Sequence, residues 1–201
     1  LLHVHRAYVR QLESDGWLNR SLESLPADQQ FAELQQQGKG LTGPELSMLL
    51  AYTKNVLFEQ IVASDLPDDP YLRSVLHGYF PTAVRERYPD EIDAHPLRRE
   101  IITTELVNEI VNRAGTTFVF RLAMESGANA EELFRAFTVA RAVFGIDQVR
   151  NEIAALDSVV DAPVLTRMRL AARTMAERAT RWLAVNRRQP IDISWQVGYF
   201  A

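Results

Sequence analysis

From Leu41 to Leu122 the chain runs through helix starts, apolar helical faces and helix stops without a break: LTGPELSMLLAYTKN, SDLPDDPYL, YFPTAVRERY, HPLRREIITTELVNEIVNRAGTTFVFRL. Thr42 to Glu45 has capping-box spacing, in which the two ends of the motif satisfy each other's free backbone N–H groups. Pro44 falls in the first turn, where a missing N–H costs nothing. The helix predicted from there to about Ala63 carries Leu46, Leu49, Leu50, Val56, Leu57 and Ile61 on one stripe, widened by Met48 and Tyr52. A helix apolar over so much of its circumference is predicted to be central, since a surface helix would be wetter on one side.

The same punctuation continues along the chain. Asp68 and Asp69 before Pro70 place carboxylates at the positive end of a second helix. Pro81 opens a short helix that stops before Pro89. His95-Pro96 begins a long helix ended by Gly115, Thr116 is predicted to cap the next one, and Gly127 stops it. Asn129 with Glu132 repeats the capping spacing, and Gly145 closes that helix. Asp147 opens another to about Leu156, and Asp161 with Pro163 starts the last long one, to about Asn186. FVF at 118–120 and SVV at 158–160 are too short, and too much in phase with helix or loop, to be strands.

The predicted fold is therefore all-α: an irregular multi-helix bundle of about eight to ten helices with no sheet. QQQGKG at 35–40 is the clearest soft boundary. It separates a helical lead-in at 1–39, readable as the tail of a preceding module, from a helical domain at 40–189, and residues 190–201 are expected to form a C-terminal tail.

Composition narrows the function classes. The 201 residues include no cysteine, which excludes disulfides and thiolate metal sites and suits a reducing cytoplasm. A net charge of −4 argues against general binding to nucleic acid or anionic membranes. No apolar run approaches the ~20 residues of a membrane helix. The opening LLHVHRAYVRQLE is amphipathic rather than signal-like, and its start on Leu1 in mid-helix suggests a piece of a longer chain.

Candidate chemistry is sparse. His3 and His5 point about 200° apart on a helix and could share a metal only on a strand. His77 and His95 are isolated, without a carboxylate at a suggestive spacing; His77 falls near a helix end and His95 looks like a cap. Paired carboxylates at Asp68-Asp69, Asp90-Glu91 and Glu131-Glu132 sit in loops or first turns, where dipole compensation explains them. No GxSxG, HExxH, GxGxxG or Walker sequence occurs. No catalytic, cofactor-binding or metal-ligating residue is assigned.

Two helices hold the open questions. On the helix from Pro96 to Ala114, Leu97, Ile101, Ile102, Thr103, Leu106, Val107, Ile110 and Val111 form the apolar arc, with Asn108 between Leu97 and Ile101 and Asn112 one turn on. Glu100 also projects into this arc, with Arg98, Arg99 or Arg121 as candidate counter-ions. A hydrogen-bonded network that fixes helix register, with Asn112 and Arg113 closing the end, is preferred to a ligand pocket, because one helix shows no convergence of elements. Asn108→Asp is expected to cost at least ~2 kcal/mol if the site is buried.

The last long helix carries Arg167, Arg169, Arg173, Arg178 and Arg181, with Arg187 and Arg188 just beyond, against one acid, Glu177. The arginines fall into two groups flanking a predicted seam of Val164, Met168, Ala171, Met175 and Trp182. Solvated flanks rank first, docking to an acidic partner domain second and nucleic acid third, since a nucleic-acid face is normally one stripe with interleaved aromatics.

Together LTGPELSMLLAYTKN, LPDDPYL, HPLRREIITTELVNEIVNRAGTTFVFRL, ARAVFG and ERATRWL resemble, in order, the C-terminal region of the large bacterial NAD-specific glutamate dehydrogenases, best from Leu41 to about Arg188. The resemblance implies a helical, non-catalytic fragment of an enzyme that converts L-glutamate and NAD to 2-oxoglutarate, ammonia and NADH. It also implies that the nicotinamide-binding fold and the catalytic lysine and aspartate lie upstream, with no cofactor in this fragment. The partners implied are the catalytic region of the same chain and neighbouring subunits of a homo-oligomer, in the cytoplasm, with neither nucleic acid nor membrane. A free-standing helical ligand-binding or protein-interaction domain is the alternative.

Overall fold

A computed structural model of the chain describes residues 1–200. Among them are twelve α-helices, ten of seven residues or more, and no strand. In order these are α1 (Leu2–Ser14), α2 (Asp28–Gln36), α3 (Gly43–Val62), α4 (Arg73–Tyr79), α5 (Thr82–Arg87), α6 (Pro89–Asp93), α7 (Arg98–Ala114), α8 (Phe118–Ser126), α9 (Ala130–Val143), α10 (Ile146–Ala155), α11 (Ala162–Asn186) and α12 (Ile193–Phe200). Two single-turn 3-10 helices, Leu66–Asp68 and Pro70–Leu72, join α3 to α4. The predicted all-α class holds. Two of the helices, α5 and α6, are short because Pro81 and Pro89 interrupt the segment.

The local signals act where the sequence puts them. The Thr42 N–H donates to Glu45 Oε2 at 2.6 Å. At α9 the bonds are reciprocal: the Asn129 N–H donates to Glu132 Oε2, and the Glu132 N–H donates to Asn129 Oδ1, each at 2.9 Å. The Tyr71 N–H donates to the Asp69 carboxylate at 3.0 Å, and the Leu97 N–H to His95 Nδ1 at 3.1 Å. Gly115 ends α7 at φ +104°, a conformation that a side chain would strain. One boundary moves: the N-cap position of α8 is Thr117, which is buried and makes no side-chain capping bond, rather than Thr116.

The main core gathers α4, α7, α8, α9 and the inner side of α11, together with Leu57 and Ile61 from the end of α3. The most enclosed helix is α9, in which every residue from Leu133 to Ala140 is buried. A second core joins Tyr8, Val9 and Leu12 of α1 and Phe31 of α2 to Leu49 and Val56 of α3, while Tyr8 stacks on Phe120 of α8 at 4.7 Å. Thus α3 serves both cores, as its wide apolar arc requires. Its first turn departs from the predicted stripe, because Leu46 is exposed. Thr53 is inside instead, its hydroxyl satisfied by the Leu49 carbonyl at 2.7 Å.

Two other expectations change. The seam of α11 is Leu165, Ala172, Ala176, Thr180 and Leu183. Ala171 and Trp182 of the predicted seam are exposed, and Val164, Met168 and Met175 are only half-buried. The helix carries apolar residues on both sides, so its wheel has two possible inner faces, and packing on α9 selects one. The segment after Pro190 folds as α12 against α9, with Ile191 and Ile193 fully buried in the main core.

Candidate functional site

Elements distant in sequence meet around the C-terminal half of α7. Asn108, half-buried, accepts a hydrogen bond from Lys54 Nζ of α3 at 2.7 Å. At the next position Glu109 forms ion pairs with Arg113 Nε at 2.9 Å and with Arg141 Nε of α9 at 3.5 Å, and the Arg141 guanidinium donates to Asp147 of α10 at 2.5 Å. Glu105, Asn108, Glu109, Asn112, Arg113 and Arg150 of α10 line an open cleft of about 490 Å³ here. Arg150 has no carboxylate partner among the described residues. Desolvation lowers its pKa, and the neighbouring charge of Arg113 adds to that shift. The cleft can hold a polar or anionic group by hydrogen bonds, but it offers no paired nucleophile and base.

The polar contacts around Asn108 and Glu109 thus come from four helices rather than one. Lys54, Arg141, Asp147 and Arg150 are far away in the chain and carry no local signal of their place here. Two details are corrected. Leu97 is 54% exposed, so Asn108 is not enclosed between Leu97 and Ile101. Since Lys54 faces it, Asn108→Asp places a carboxylate beside an ammonium. This variant is therefore expected to shift stability by less than ~1 kcal/mol, the scale of a partly exposed ion pair, measurable by chemical denaturation. The three arginines suggested as counter-ions for Glu100 are also committed elsewhere, Arg98 and Arg99 to Asp68 and Arg121 to Glu177 at 2.7 Å.

Of the histidines, His3 and His5 lie on a helix, the geometry that separates their rings. His77 does meet a carboxylate: its Nε2 lies 2.8 Å from Asp93 Oδ1 of α6. Arg73 binds the same carboxylate bidentately, Nε to Oδ1 and the terminal nitrogen to Oδ2, and with His77 holds its pKa well below the usual range. Asp28 has the same function in the lead-in, where Arg10, Arg6 and Arg20 converge on it and depress its pKa, Arg10 most. Each cluster ties neighbouring segments together through one acid.

The outer face of α11 differs from these closed clusters. Arg169 pairs with Asp157 at 2.5 Å and Arg181 with Glu125 at 3.2 Å. The Arg187 guanidinium stacks over Trp182, Tyr199 and Phe200 at 4.8–5.2 Å. Arg167 and Arg178 have no carboxylate partner among the described residues. Between them runs an open groove of about 720 Å³ lined by Leu170, Ala171, Thr174, Met175 and Ala179, with Phe144 of α9 at its side.

With this geometry in view, comparison with known proteins is decisive. The model of the family described as "Glutamate dehydrogenase, C-terminal" matches residues 38–201. The chain belongs to this family. Its similarity to NAD-specific glutamate dehydrogenases also includes the lead-in. The chain is 38% identical to the enzyme of Mycobacterium tuberculosis over all 201 of its residues. It is 38% identical to that of Halomonas elongata and 36% to that of Pseudomonas aeruginosa, over 98% of the chain in each case. In all three the match spans 12% of the relative's length. This family membership agrees with the resemblance carried by the sequence motifs. No helix among the described residues is long and apolar enough to cross a membrane.

Proposed function

We propose that this chain is the C-terminal, non-catalytic helical module of an NAD-dependent glutamate dehydrogenase, an oligomeric cytoplasmic enzyme that oxidises L-glutamate with NAD and water to 2-oxoglutarate, ammonium and NADH. The observation that carries the reading is the alignment: relatives bearing that activity in their names match this chain end to end, yet the chain spans only 12% of their length. The far larger remainder of such an enzyme is left to hold the nicotinamide fold and the residues that move hydride and proton. The module's part is mechanical. Docked on the catalytic region or a neighbouring subunit, it braces the domain closure that excludes water during hydride transfer.

The test is a full-length enzyme truncated before Leu41. We expect a lower melting temperature, reduced oligomeric order or slower turnover, with glutamate still the substrate. Wild-type assembly, melting and rate in the truncated enzyme would overturn the proposal. Calorimetry with the 201-residue chain should give no micromolar NAD binding, because no glycine-rich loop precedes a helix start to receive the pyrophosphate.

A further inference from the structure

An ordinary soluble surface scatters its large apolar side chains singly, and contiguous apolar patches mark interaction sites. On α11 several of them line two adjoining hollows. Leu170 is 58% exposed, Trp182 is 49% and Phe144, beside them on α9, is 49%. The groove along α11 runs into a smaller notch of about 90 Å³ framed by Val139, Val143, Trp182, Leu183 and Phe200, and the two share Phe144 and Ala179. The notch exposes no polar surface, so water gains nothing there, and its volume suits the end of one branched or aromatic side chain.

We infer that this surface receives a single amphipathic helix with acidic flanks, supplied by the part of the polypeptide upstream of this chain in the intact enzyme. This inference rests on the function proposed above and names the partner surface. Three observations converge. The apolar floor follows α11 from Leu170 to Trp182, about 18 Å at the rise of an α-helix, which matches a partner of about three turns. Arg167 and Arg178 line the groove without carboxylates of their own; Arg169 and Arg181 on the same helix have theirs, and Arg173, also without one, lies away from the groove beside Gly115. Acids on the flanks of the incoming helix would complete them. The relatives also carry most of their length outside the aligned 12%, and a covalently attached segment reaches a nearby groove at high effective concentration. The notch takes the anchor residue, the groove takes its neighbours one turn apart, and the two arginines set direction and register.

The absence of cysteine makes a single introduced thiol informative. In the full-length enzyme Leu170→Cys should react with a maleimide at least tenfold more slowly than Val159→Cys, whose site is 76% exposed and away from the groove. Adding Arg167→Glu and Arg178→Glu together should restore fast labelling at position 170, because the acidic flanks would be repelled. A photo-crosslinker on that thiol should couple to a peptide upstream of Leu1. Equal labelling at the two positions overturns the inference, and so does protection that ignores the charge reversal. Crosslinks to residues 1–201 of a second copy overturn the assignment of the occupant. If truncation before Leu41 damages the enzyme while position 170 labels freely, the module's bracing role survives and the groove fails. If truncation is harmless while position 170 is protected, the groove survives and the bracing role fails.

Discussion

The helices α7 and α11 invite comparison because both are long, both are rich in charge, and they differ in what covers them. In its 17 residues α7 buries Ile102, Thr103, Leu106, Val107, Ile110, Val111 and Ala114, enclosed by α3, α4 and α9. In its 25 residues α11 buries only Leu165, Ala172, Ala176, Thr180 and Leu183. The extra length adds no burial. What it adds is apolar side chains left in solvent. A helix whose apolar residues are all used within the chain contributes to the chain's own stability, whereas the spare apolar face of α11 is the surface proposed above to receive a partner helix. The polar residues tell the same story. Around α7 the carboxylate of Glu109 is closed by two arginines, while on α11 three arginines, Arg167, Arg173 and Arg178, lack an acid among the described residues.

The most disruptive test of the comparison is at the centre of α7. Ile110 is fully buried in the main core, and Ile110→Ala removes its packing there. We expect a loss of about 2–5 kcal/mol in urea denaturation. A loss under ~1 kcal/mol would mean that the inner face of α7 is not closely packed.

The end of α7 comes next. Gly115 has φ +104° and ψ 160°, a region nearly reserved for glycine. A Cβ there would also stand 2.5 Å from a terminal nitrogen of Arg173. The arginine can swing away but the backbone cannot, so Gly115→Ala should cost about 1–3 kcal/mol. A variant as stable as the parent would show that the α7–α8 turn adopts another conformation.

A smaller effect of opposite sign is expected inside α7. Thr103 is fully buried, and its hydroxyl has no hydrogen-bond partner. Thr103→Val keeps the shape and removes an unsatisfied oxygen, so stability should rise by up to ~1 kcal/mol. A fall of that size would reveal a partner for the hydroxyl.

How far the sequence could be read follows from the range of each interaction. The caps at Thr42, Asn129 and Asp69, and the stops at Gly115 and Gly127, are decided within four residues, and they appear where the sequence puts them. The inner face of α7 was also legible, because its apolar residues form a single arc. On α11 the apolar residues make two arcs, and the choice between them depends on α9, which no local pattern encodes. The tail fared similarly: Ile191 and Ile193 are buried only because α9 lies beneath them. The α7–α10 cleft was legible in half. Asn108, Asn112 and Arg113 stood out as polar residues beside an apolar arc, but Lys54 is 54 residues away from Asn108, and Arg150 gave no signal.

The least perturbing substitution is on α11 itself, where the two faces of one helix are set against each other. Leu170 and Leu183 lie on the same helix 13 positions apart, which at 100° per residue turns them about 220° from each other. Leu183 is 3% exposed against α9 and Leu170 is 58% exposed. Identical truncations should therefore diverge. Leu183→Ala loses core packing and should cost about 2–5 kcal/mol. Leu170→Ala gives up contacts mostly with water, and alanine is at least as good a helix former as leucine, so the 201-residue chain should change by no more than ~0.5 kcal/mol. Thermal denaturation of the two variants side by side is sufficient. A loss above ~1 kcal/mol at Leu170 would mean that this chain covers its own outer face, and the contrast with α7 would disappear. If Leu170→Ala is silent in the chain but lowers the melting temperature of the full-length enzyme, the missing cover belongs to the rest of the assembly.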